Sequence, residues 1–285
     1  MTSTPPTPDP APKITVIVSV YNGVKTLQQC IDSVCNQTYA HKELIVIDGC
    51  STDGSAELIV ANDHKISYWI SEPDTGIYNA WNKGLAKAKG DWICFIGSDD
   101  FLWSDDVLQR LALRLSQAPV EINIVYGQIM MMNQAGDELY RMGTPWVQVK
   151  SRFNQVMSLP HPAVMHRTGL FTQHGNFDES YRIAGDYEML LRDLIEKDAL
   201  FVSDVIVTGM RQGGISSNPG NNVRALNEVR AAQLKNGLHS PGLMWQLTIM
   251  RAYIGLILSK VLGIKNTRAL LNAGRRVIGS PGRAK

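Results

Sequence analysis

Short apolar runs alternate with helical stripes through the first hundred residues of the chain. The β-branched run ITVIVSV (14–20) predicts a buried strand, after which Leu27, Ile31 and Val34 recur at helical spacing. The same pattern predicts further strands at 43–49, 66–71 and 91–96, and helices at 24–37, after Asp53 and at 76–89. Strands that alternate with helices need right-handed crossovers. The chain is therefore predicted to form an α/β fold with a Rossmann-like, mainly parallel central sheet flanked by helices.

The second half of the chain has a less regular pattern. It predicts a helix through Leu108, Leu111 and Leu115, a strand at 123–132, a turn at 133–136, a helix at 186–196, a strand at 200–207, a flexible loop at 213–216 and a helix at 222–237. The length of 285 residues suits one large domain with an appendage, and 44% hydrophobic residues are typical of a globular protein. The predicted divisions are a disordered Pro-rich tail at 1–12, a main domain at 13–220 and a basic helical extension at 221–285.

Charge is distributed unevenly along the chain. Glu228 is the last acidic residue, and nine of the 28 basic residues lie from Lys235 to Lys285. The other 19 basic residues and all 26 acidic residues lie within residues 1–234, which therefore carry a charge of −7. This asymmetry predicts an anionic partner, either a membrane surface or a nucleic acid. Nucleic acid is the weaker alternative, because Trp245 and Tyr253 are the only aromatic residues available for stacking in the basic part.

The segment 243–264 is long enough to span a bilayer but contains Gln246, Arg251 and Lys260. It is interpreted as an amphipathic helix that lies on an anionic bilayer through 243–285, with docking on the main domain as an almost equal alternative. Residues 1–12 lack a basic start and an apolar core, so they do not resemble a signal peptide. The four cysteines form no Cys-x-x-Cys pair, which favours reduced thiols. The predicted location is cytoplasmic, peripheral at the inner face of the membrane.

Two adjacent carboxylates follow the fourth predicted strand. Asp99 and Asp100 repel each other at short range, so they either lie in a solvated turn or share a cation. Mg²⁺ and Mn²⁺ prefer oxygen ligands and leave part of their coordination shell to phosphate oxygens. The buried strand before the pair, and the small residues Gly97 and Ser98 beside it, favour a metal site over a plain turn. Ligands of such sheets bind at the carboxyl ends of the strands, where Asp48 is also expected.

Two further polar segments are candidates for nucleotide binding. The segment DGCSTDGS (48–55) suits recognition of a base and ribose, or it is a plain strand–turn–helix link with Asp53 as the helix cap. In SEPDTGIYNAWNKG (71–84), the residues expected to face a sugar nucleotide are Glu72, Asp74 and Asn79, while Lys83 would approach a phosphate. The alternative is a solvated face at Asn79 and Lys83, while Ile77 and Trp81 belong to the core in either case.

The remaining candidates lie in the second half of the chain. Asp186 opens a predicted helix, where it is either a general base for an acceptor hydroxyl or a carboxylate favoured by the helix dipole. His161, between two prolines, could line an acceptor site, whereas His166 is interpreted as structural. Arg211 with Gly213 and Gly214 could close over a diphosphate, although a Gly pair is a weak signal.

Taken together, these motifs resemble the family 2 glycosyltransferases, which have the GT-A fold. The matching segments are IVSVYNG (17–23), SVCNQTY (33–39), ELIVIDGCSTDGS (43–55), SEPDTGIYNAWNKGLAKAKGDW (71–92), GSDD (97–100), LPHPAV (159–164), FDESYRIAGDYEMLLR (177–192) and GGIS (213–216). They occur in family order over about residues 13–217. The combination is specific to this family, although no single segment is.

The resemblance implies a division of roles along the chain. Residues 13–100 would bind the nucleotide sugar and 101–220 the acceptor. Asp100 would be the direct ligand of a divalent cation, Mn²⁺ or Mg²⁺, with Asp99 nearby and Ser98 in the variable first place of the motif. Asp48 and the backbone of Val20, Tyr21 and Asn22 would hold the nucleotide, although many members carry a second Asp where this chain has Gly49. Asp186 would be the catalytic base.

The implied activity is metal-dependent, inverting transfer of a hexose from a nucleotide diphosphate sugar, with UDP favoured, to a saccharide or lipid-linked acceptor. Members of this kind build bacterial surface polysaccharide or lipopolysaccharide. One alternative is a sugar-phosphate nucleotidyltransferase, which needs a Gly-rich phosphate loop, whereas SVYNGVKTL (19–27) has a single Gly. The other is a non-catalytic protein that binds a membrane surface.

Overall fold

One nine-stranded sheet organises the described residues, which are 11–212, 219–241 and 243–263 of a computed structural model. The strands are β1 Ile14–Val20, β2 Lys42–Asp48, β3 Tyr68–Ser71, β4 Trp92–Gly97, β5 Phe101–Leu102, β6 Ile124–Met132, β7 Glu138–Met142, β8 Val164–Arg167 and β9 Leu200–Arg211. The α-helices are α1 Val24–Cys35, α2 Ser55–Ala61, α3 Ile77–Leu85, α4 Val107–Leu115, α5 Trp146–Phe153, α6 Thr168–His174, α7 Gly185–Leu194, α8 Pro219–Lys235 and α9 Leu243–Leu262. Short 3-10 turns lie at Asp63–Lys65 and His161–Ala163.

The first four strands form a parallel unit in the order β3-β2-β1-β4. In their register Val20 pairs with Asp48, and Asp48 pairs with Ser71. On the other side of β1, Ser19 pairs with Gly97. The carboxyl ends of the parallel strands therefore meet at one edge of the sheet. We call this edge, with the loops that follow β1, β2, β3 and β4, the carboxyl rim.

Beyond β4 the sheet is mixed. β8 runs antiparallel to both β4 and β6, β5 is antiparallel to β9, β7 is antiparallel to β6, and β6 with β9 is parallel. The predicted α/β fold is confirmed, and its parallel part is concentrated in the first hundred residues. The parallel pattern ends at β4 because β8, from a distant part of the chain, pairs with it in the antiparallel direction.

Two hydrophobic layers cover the two faces of the sheet. Val16 and Val18 of β1 lie in the layer that packs with α1 and α4. Ile17, between them, points to the other layer, which packs with α3 and α7. This alternation follows from the period of two in a strand. Both faces of β1 are apolar because a helix covers each, which explains why the sequence shows a continuous β-branched run rather than an alternating one.

The predicted elements of the first half are all present, with ends that differ by a few residues. The helix predicted at 76–89 ends at Leu85, and the strand predicted at 66–71 begins at Tyr68. In the second half the strand predicted at 200–207 extends to Arg211, and the helix predicted at 186–196 lies at Gly185–Leu194. The sequence patterns did not predict β5, β7, β8, α5 or α6, because these elements are short and owe their stability to tertiary contacts.

The carboxyl-terminal helices stack outward from the second layer. α8 packs on α7, and α9 packs on α8. Among the described residues no helix is both long and apolar enough to cross a membrane. The predicted loop at 213–216 and the basic residues after 263 lie outside the described residues, as does the predicted disordered tail except for Ala11 and Pro12. All four cysteines are free thiols.

The contact between α3 and β1 provides a test of this packing. A Cβ at Gly84 would lie 2.6 Å from Cγ2 of Ile17 and 3.4 Å from Cγ1 of Ile47. We expect Gly84→Ala to destabilise the protein by about 1–3 kcal/mol through overpacking, even though Ala itself favours a helix by about 1 kcal/mol. The matched control is Gly169→Ala in α6, where a Cβ meets nothing within 4 Å.

Urea unfolding followed by circular dichroism would give both values. Gly169→Ala is expected to leave the free energy of unfolding unchanged or to raise it by up to about 1 kcal/mol. Equal stabilisation by the two substitutions would show that α3 does not pack against β1 as described.

Candidate active site

Asp48 ends β2 at the carboxyl rim and is fully buried. Its Oδ1 accepts a hydrogen bond from the Ser51 hydroxyl (2.5 Å). Its Oδ2 accepts from the Ser51 amide (3.1 Å) and the Ser71 hydroxyl (2.5 Å). Hydrogen bonds to an ionised group are strong, and three of them offset much of the lost hydration of this carboxylate. Asp48 therefore ties the loop after β2 to the end of β3.

The loop after β1 is held against the loop after β2. Asn22 has a left-handed φ of 52°, which Asn tolerates better than most residues. Its amide donates to Ser51 Oγ (2.7 Å), and its side-chain oxygen accepts from the Thr52 amide (2.9 Å). Val20 is also engaged, because its carbonyl accepts from the Gly49 amide (2.9 Å). The Tyr21 side chain is 69% exposed, so its ring is available to a ligand at this rim.

Asp53 supports the beginnings of two helices. Its Oδ1 accepts from the amide and the hydroxyl of Ser55, where α2 begins, and its Oδ2 accepts from the amide of Val24, where α1 begins. These bonds lower the pKa of Asp53. The N-cap position of α2 is Gly54 rather than the predicted Asp53, and its φ of 100° requires a glycine.

The place next to Asp48 is taken by a carboxylate from another loop. A Cβ at Gly49 would lie only 2.5 Å from Oδ2 of Asp74, so a side chain at position 49 and the present position of Asp74 exclude each other. The other oxygen of Asp74 accepts from the Gly76 amide (2.8 Å), which fixes the turn before α3. Asp74 thus brings a carboxylate to the position where the sequence has Gly49.

The predicted Asp pair lies in the turn between β4 and β5. The Asp100 amide donates to the Gly97 carbonyl (3.0 Å), which closes the turn. A Cβ at Gly97 would lie 2.7 Å from Oδ1 of Asp99 and 3.6 Å from Oδ2 of Asp100, so both carboxylates lie beside this glycine. Ser98 packs against the loop after β1, where a Cβ at Gly23 would lie 2.4 Å from its Oγ. The pair is therefore held together at the rim, as predicted.

Asp100 has little to balance its charge. It is 6% exposed, and its carboxylate accepts one long hydrogen bond, from the Gly97 amide at 3.3 Å. Burial, and then the neighbouring Asp99 charge, raise the pKa of Asp100 to about 8. The Cys94 thiol is also buried, and burial raises its pKa to about 12, so it stays neutral and adds no further negative charge near Asp100.

This donor set fits a hard divalent cation that is completed by other oxygens. Two carboxylates at one turn are the kind of ligand that Mg²⁺ and Mn²⁺ take together with phosphate oxygens and water. Over residues 11–212, 219–241 and 243–263 there is no group of three His, Cys, Asp or Glu side chains that could hold a metal by itself. A cation at Asp99 and Asp100 would therefore need further ligands from a substrate or solvent.

Arg211, at the end of β9, reaches the same turn. Its guanidinium donates to the Asp99 carbonyl (2.7 Å) and to Oε1 of Gln29, and it lies 5.4 Å from the centre of the Phe101 ring. It brings a positive charge next to the carboxylate pair, and contact of this charge with a diphosphate stays a prediction. The accompanying Gly213 and Gly214 lie outside the described residues.

Two polar residues of α3 have partners within the protein. The side-chain Nδ2 of Asn79 donates to Oε2 of Glu179 (2.8 Å). The Lys83 ammonium pairs with Glu72 (2.9 Å) and donates to the Pro73 carbonyl (2.9 Å). Asn79 or Lys83 could contact a nucleotide sugar only by giving up these protein partners, so both roles stay predictions.

The other face of α3 belongs to the core, as predicted for Trp81. This side chain is 6% exposed, and its indole N–H donates to Oγ of Ser19 in β1 (3.2 Å). His161 stacks on it, with ring centres 5.0 Å apart. Burial lowers the pKa of His161 to about 3, so the ring is neutral, and its Nε2 has no hydrogen-bond partner in the structure. An acceptor role for His161 stays a prediction, while Nδ1 of His166 contacts the Ile93 carbonyl (3.2 Å) in the core.

Asp186 lies in the first turn of α7 and contacts α3. Its Oδ1 accepts from the Tyr187 amide (2.8 Å) and from the Tyr78 hydroxyl (3.3 Å). Burial raises the pKa of Asp186 to about 6, although both bonds act in the opposite direction. Gly185 permits this approach, because a Cβ there would lie 2.7 Å from the Tyr78 ring. The result is a carboxylate that is ionised at neutral pH yet basic enough to take a proton.

The structure thus brings Asp48, Asp74, Asp99 and Asp100 to one rim, and α3 links that rim to Asp186 through Tyr78. Three contributors were not assigned from the sequence: Ser71, Tyr78 and Glu228, whose carboxylate accepts from the backbone amides just before α7. Ser71 and Tyr78 fall inside a recognised segment, and their position there was a usable signal. Glu228 was noted only as the last acidic residue, and nothing in the sequence indicated its partners.

Comparison with known proteins identifies the class. The family model described as Glycosyl transferase family 2 matches residues 15–174. A PGL/p-HBAD biosynthesis glycosyltransferase of Mycobacterium bovis is 30% identical over 185 residues, which cover 64% of this chain and 70% of that protein. The chain belongs to glycosyl transferase family 2.

Solved structures agree on the fold. Staphylococcus aureus TarS 1–349, in complex with UDP-GlcNAc, is 16% identical with a TM-score of 0.63 and covers 95% of this chain and 93% of its own. The mannosyltransferase PcManGT from Pyrobaculum calidifontis, in complex with GDP-Man and Mn²⁺, is 16% identical with a TM-score of 0.59 and covers 96% and 83%. These likenesses establish the GT-A fold, which confirms the fold expected from the motifs.

Proposed function

We propose that this glycosyltransferase moves a sugar from a nucleotide diphosphate sugar, with UDP favoured, to a hydroxyl of a saccharide or lipid-linked acceptor, and inverts the anomeric configuration. The product would belong to a surface polysaccharide or lipopolysaccharide. The observation that carries the proposal is the desolvated Asp186 carboxylate, held by Tyr78 of the helix that also packs on β1 beneath the rim. Family membership favours a transferase over a nucleotidyltransferase.

The carboxyl rim supplies the donor side of the reaction. The loops tied together by Asp48 and Asn22, with the exposed Tyr21, form the surface on which the nucleotide would lie. Asp100 and Asp99 would hold a divalent cation, and the complex of PcManGT with GDP-Man and Mn²⁺ supports this assignment. When bound, the cation would neutralise the diphosphate and stabilise the nucleotide as a leaving group.

Asp186 supplies the acceptor side. Its carboxylate takes the proton of the acceptor hydroxyl while that oxygen attacks the anomeric carbon from the face opposite the diphosphate. The bond between the anomeric carbon and the diphosphate oxygen breaks in the same displacement, so the nucleoside diphosphate leaves and the configuration inverts. Tyr78, by donating to Oδ1, orients the carboxylate and leaves Oδ2 available for the proton.

The base assignment predicts a defined pH profile. Only the ionised carboxylate accepts a proton, so kcat/KM of the wild-type enzyme should rise as the pH increases through about 6. Asp186→Asn should retain donor binding but lower turnover by ~10² or more. The donor would first be selected by thermal stabilisation with a panel of UDP, GDP and dTDP sugars plus Mn²⁺. Unchanged turnover in the Asn variant would assign the base elsewhere.

If Asp100 binds the metal, replacing it should affect the melting temperature of the free protein and the response to Mn²⁺ with UDP differently. Asp100→Asn removes a buried carboxylate with few partners, so the melting temperature of the free protein should stay the same or rise. The further rise that Mn²⁺ with UDP gives to the wild type should be lost. Asp105→Asn, at an exposed position five residues later, is the control and should keep the response. A full response in Asp100→Asn would remove this residue from the metal site.

We further propose that α9 lies on an anionic membrane surface. Its exposed apolar side chains recur at helical spacing and form a stripe, which consists of Met250, Ile254, Ile257 and Val261 together with Tyr253. Arg251 and Lys260 are exposed on the same helix and suit anionic lipid. The basic residues from Lys265 to Lys285 lie outside the described residues.

Vesicle sedimentation would test the stripe. Ile254→Glu combined with Ile257→Glu should weaken binding to vesicles of phosphatidylcholine with 30% phosphatidylglycerol by about tenfold or more, given the apolar area lost. Leu113→Glu on α4, with similar exposure (57%), is the matched control and should bind as the wild type does. Binding that is equal in the two variants would leave α9 without a role at the membrane.

A further inference from the structure

Glu228 on α8 contacts the segment that precedes the proposed base. Its carboxylate accepts hydrogen bonds from three consecutive backbone amides: Arg182 (3.1 Å to each oxygen), Ile183 (2.8 Å) and Ala184 (3.0 Å). These amides directly precede Gly185, where α7 begins. One side chain from a distant helix therefore satisfies three backbone donors in a row.

This contact completes the amino end of α7. The first amides of a helix have no partner within the helix, and an anion suits them because the helix dipole is positive there. The N-cap position of α7 is Ala184, which has no side-chain acceptor, so the chain places no local cap at this end. From 44 residues further along the sequence, Glu228 therefore supplies the acceptor for the N-cap amide of Ala184 and for the two amides before it.

The capped segment also touches the donor side. The Arg182 guanidinium lies against Gly76 in the turn before α3, since a Cβ at Gly76 would lie 2.7 Å from its Nη1. Gly185 lies against the Tyr78 ring, and Asp186 follows directly. The backbone from 182 to 185 therefore determines where the Asp186 carboxylate lies relative to α3.

We propose that Glu228 is a positioning residue for Asp186, and that α8 is part of the active site rather than of an appendage. The inference rests on the proposed function, because Asp186 is the base in that proposal. It extends the catalytic unit past the boundary expected at residue 220.

The charges around Asp186 and Glu228 predict how two substitutions should shift the pKa of Asp186. The titratable groups that face Asp186 are the Tyr78 hydroxyl from α3 and Glu228 from α8, and the Glu228 charge acts, after burial, to raise the pKa of Asp186. Arg224 pairs with Glu228 at 2.9 Å and partly balances it. Removing the Glu228 charge should lower the pKa of Asp186, whereas removing the Arg224 charge should raise it.

The test is a pair of variants with opposite expected shifts. Glu228→Gln should move the acid limb of the kcat profile to lower pH and reduce kcat roughly tenfold at its optimum, with KM for the donor unchanged. Arg224→Gln changes an exposed residue and leaves Glu228 in place. It should move the acid limb of the kcat profile to higher pH when measured at low ionic strength. Glu196→Gln, which removes the same charge at an exposed position near the end of α7, should leave the profile unchanged.

A second measurement separates this inference from the base assignment. Carbon-13 NMR of labelled aspartate, with the Asp186 signal assigned from Asp186→Asn, reports its pKa without any catalysis. A pKa that moves in opposite directions in Glu228→Gln and Arg224→Gln supports the positioning role even if another residue proves to be the base. If Glu228→Gln does not fold, the Arg224→Gln shift decides. A pKa unchanged in every folded variant overturns the proposal and leaves Glu228 a helix-docking residue only.

Discussion

The carboxyl rim depends on how hydrogen bonds and neighbouring charges compensate its buried carboxylates for the loss of water. Asp48 receives three short or charge-assisted hydrogen bonds from Ser51 and Ser71, so its negative charge is well accommodated. Asp100 receives one long bond and has another carboxylate beside it, which leaves its charge poorly balanced. Burying a charge without partners is costly. Asp48 and Asp100 therefore differ in kind: the hydrogen bonds of Asp48 fix the architecture, whereas Asp100 lacks such partners, which is what the proposed cation site requires.

In the number of hydrogen bonds that its carboxylate accepts, Asp186 is intermediate between Asp48 and Asp100. Two hydrogen bonds orient it, but burial still raises its pKa to about 6. More donors would lower the pKa of this carboxyl group further, and fewer would raise it. Tyr78 is central to this balance because the same ring packs against Gly185 and carries the hydroxyl. The proposed cap at Glu228 adds a charge that acts in the same direction as burial.

The architecture shows how one helix links the two chemical sides. α3 follows the donor segment, packs Trp81 beneath the rim and presents Tyr78 to α7. The segment before α7 is held from the other side by α8. A displacement of α8 would therefore act on the segment directly before Asp186, the proposed base. If α9 lies on a membrane as proposed, the packing of α9 on α8 and of α8 on α7 connects that membrane to the helix that carries Asp186.

The sequence by itself determined the parallel half of the sheet and most of the rim. Continuous β-branched runs such as 14–20 identify buried strands, and the aspartates that end them, Asp48 and Asp99–Asp100, must meet because parallel strands share their carboxyl edge. These features depend on local pattern and on one topological rule. For Asp186, the residue pattern left two interpretations open, and only the resemblance to the family favoured the catalytic one.

Only the tertiary structure decided which polar atoms meet across long separations in the chain. No helical or strand period in the sequence connects the residues of three such contacts. These are the close approach of Asp74 to Gly49, the bond from Tyr78 to Asp186 and the bond from the Ile183 amide to Glu228. The antiparallel insertion of β8 beside β4 is of the same kind. Such contacts arise because a helix or strand is placed by the packing of its apolar face, and its polar side chains then take the nearest partners. A sequence pattern records the apolar face but not the identity of those partners.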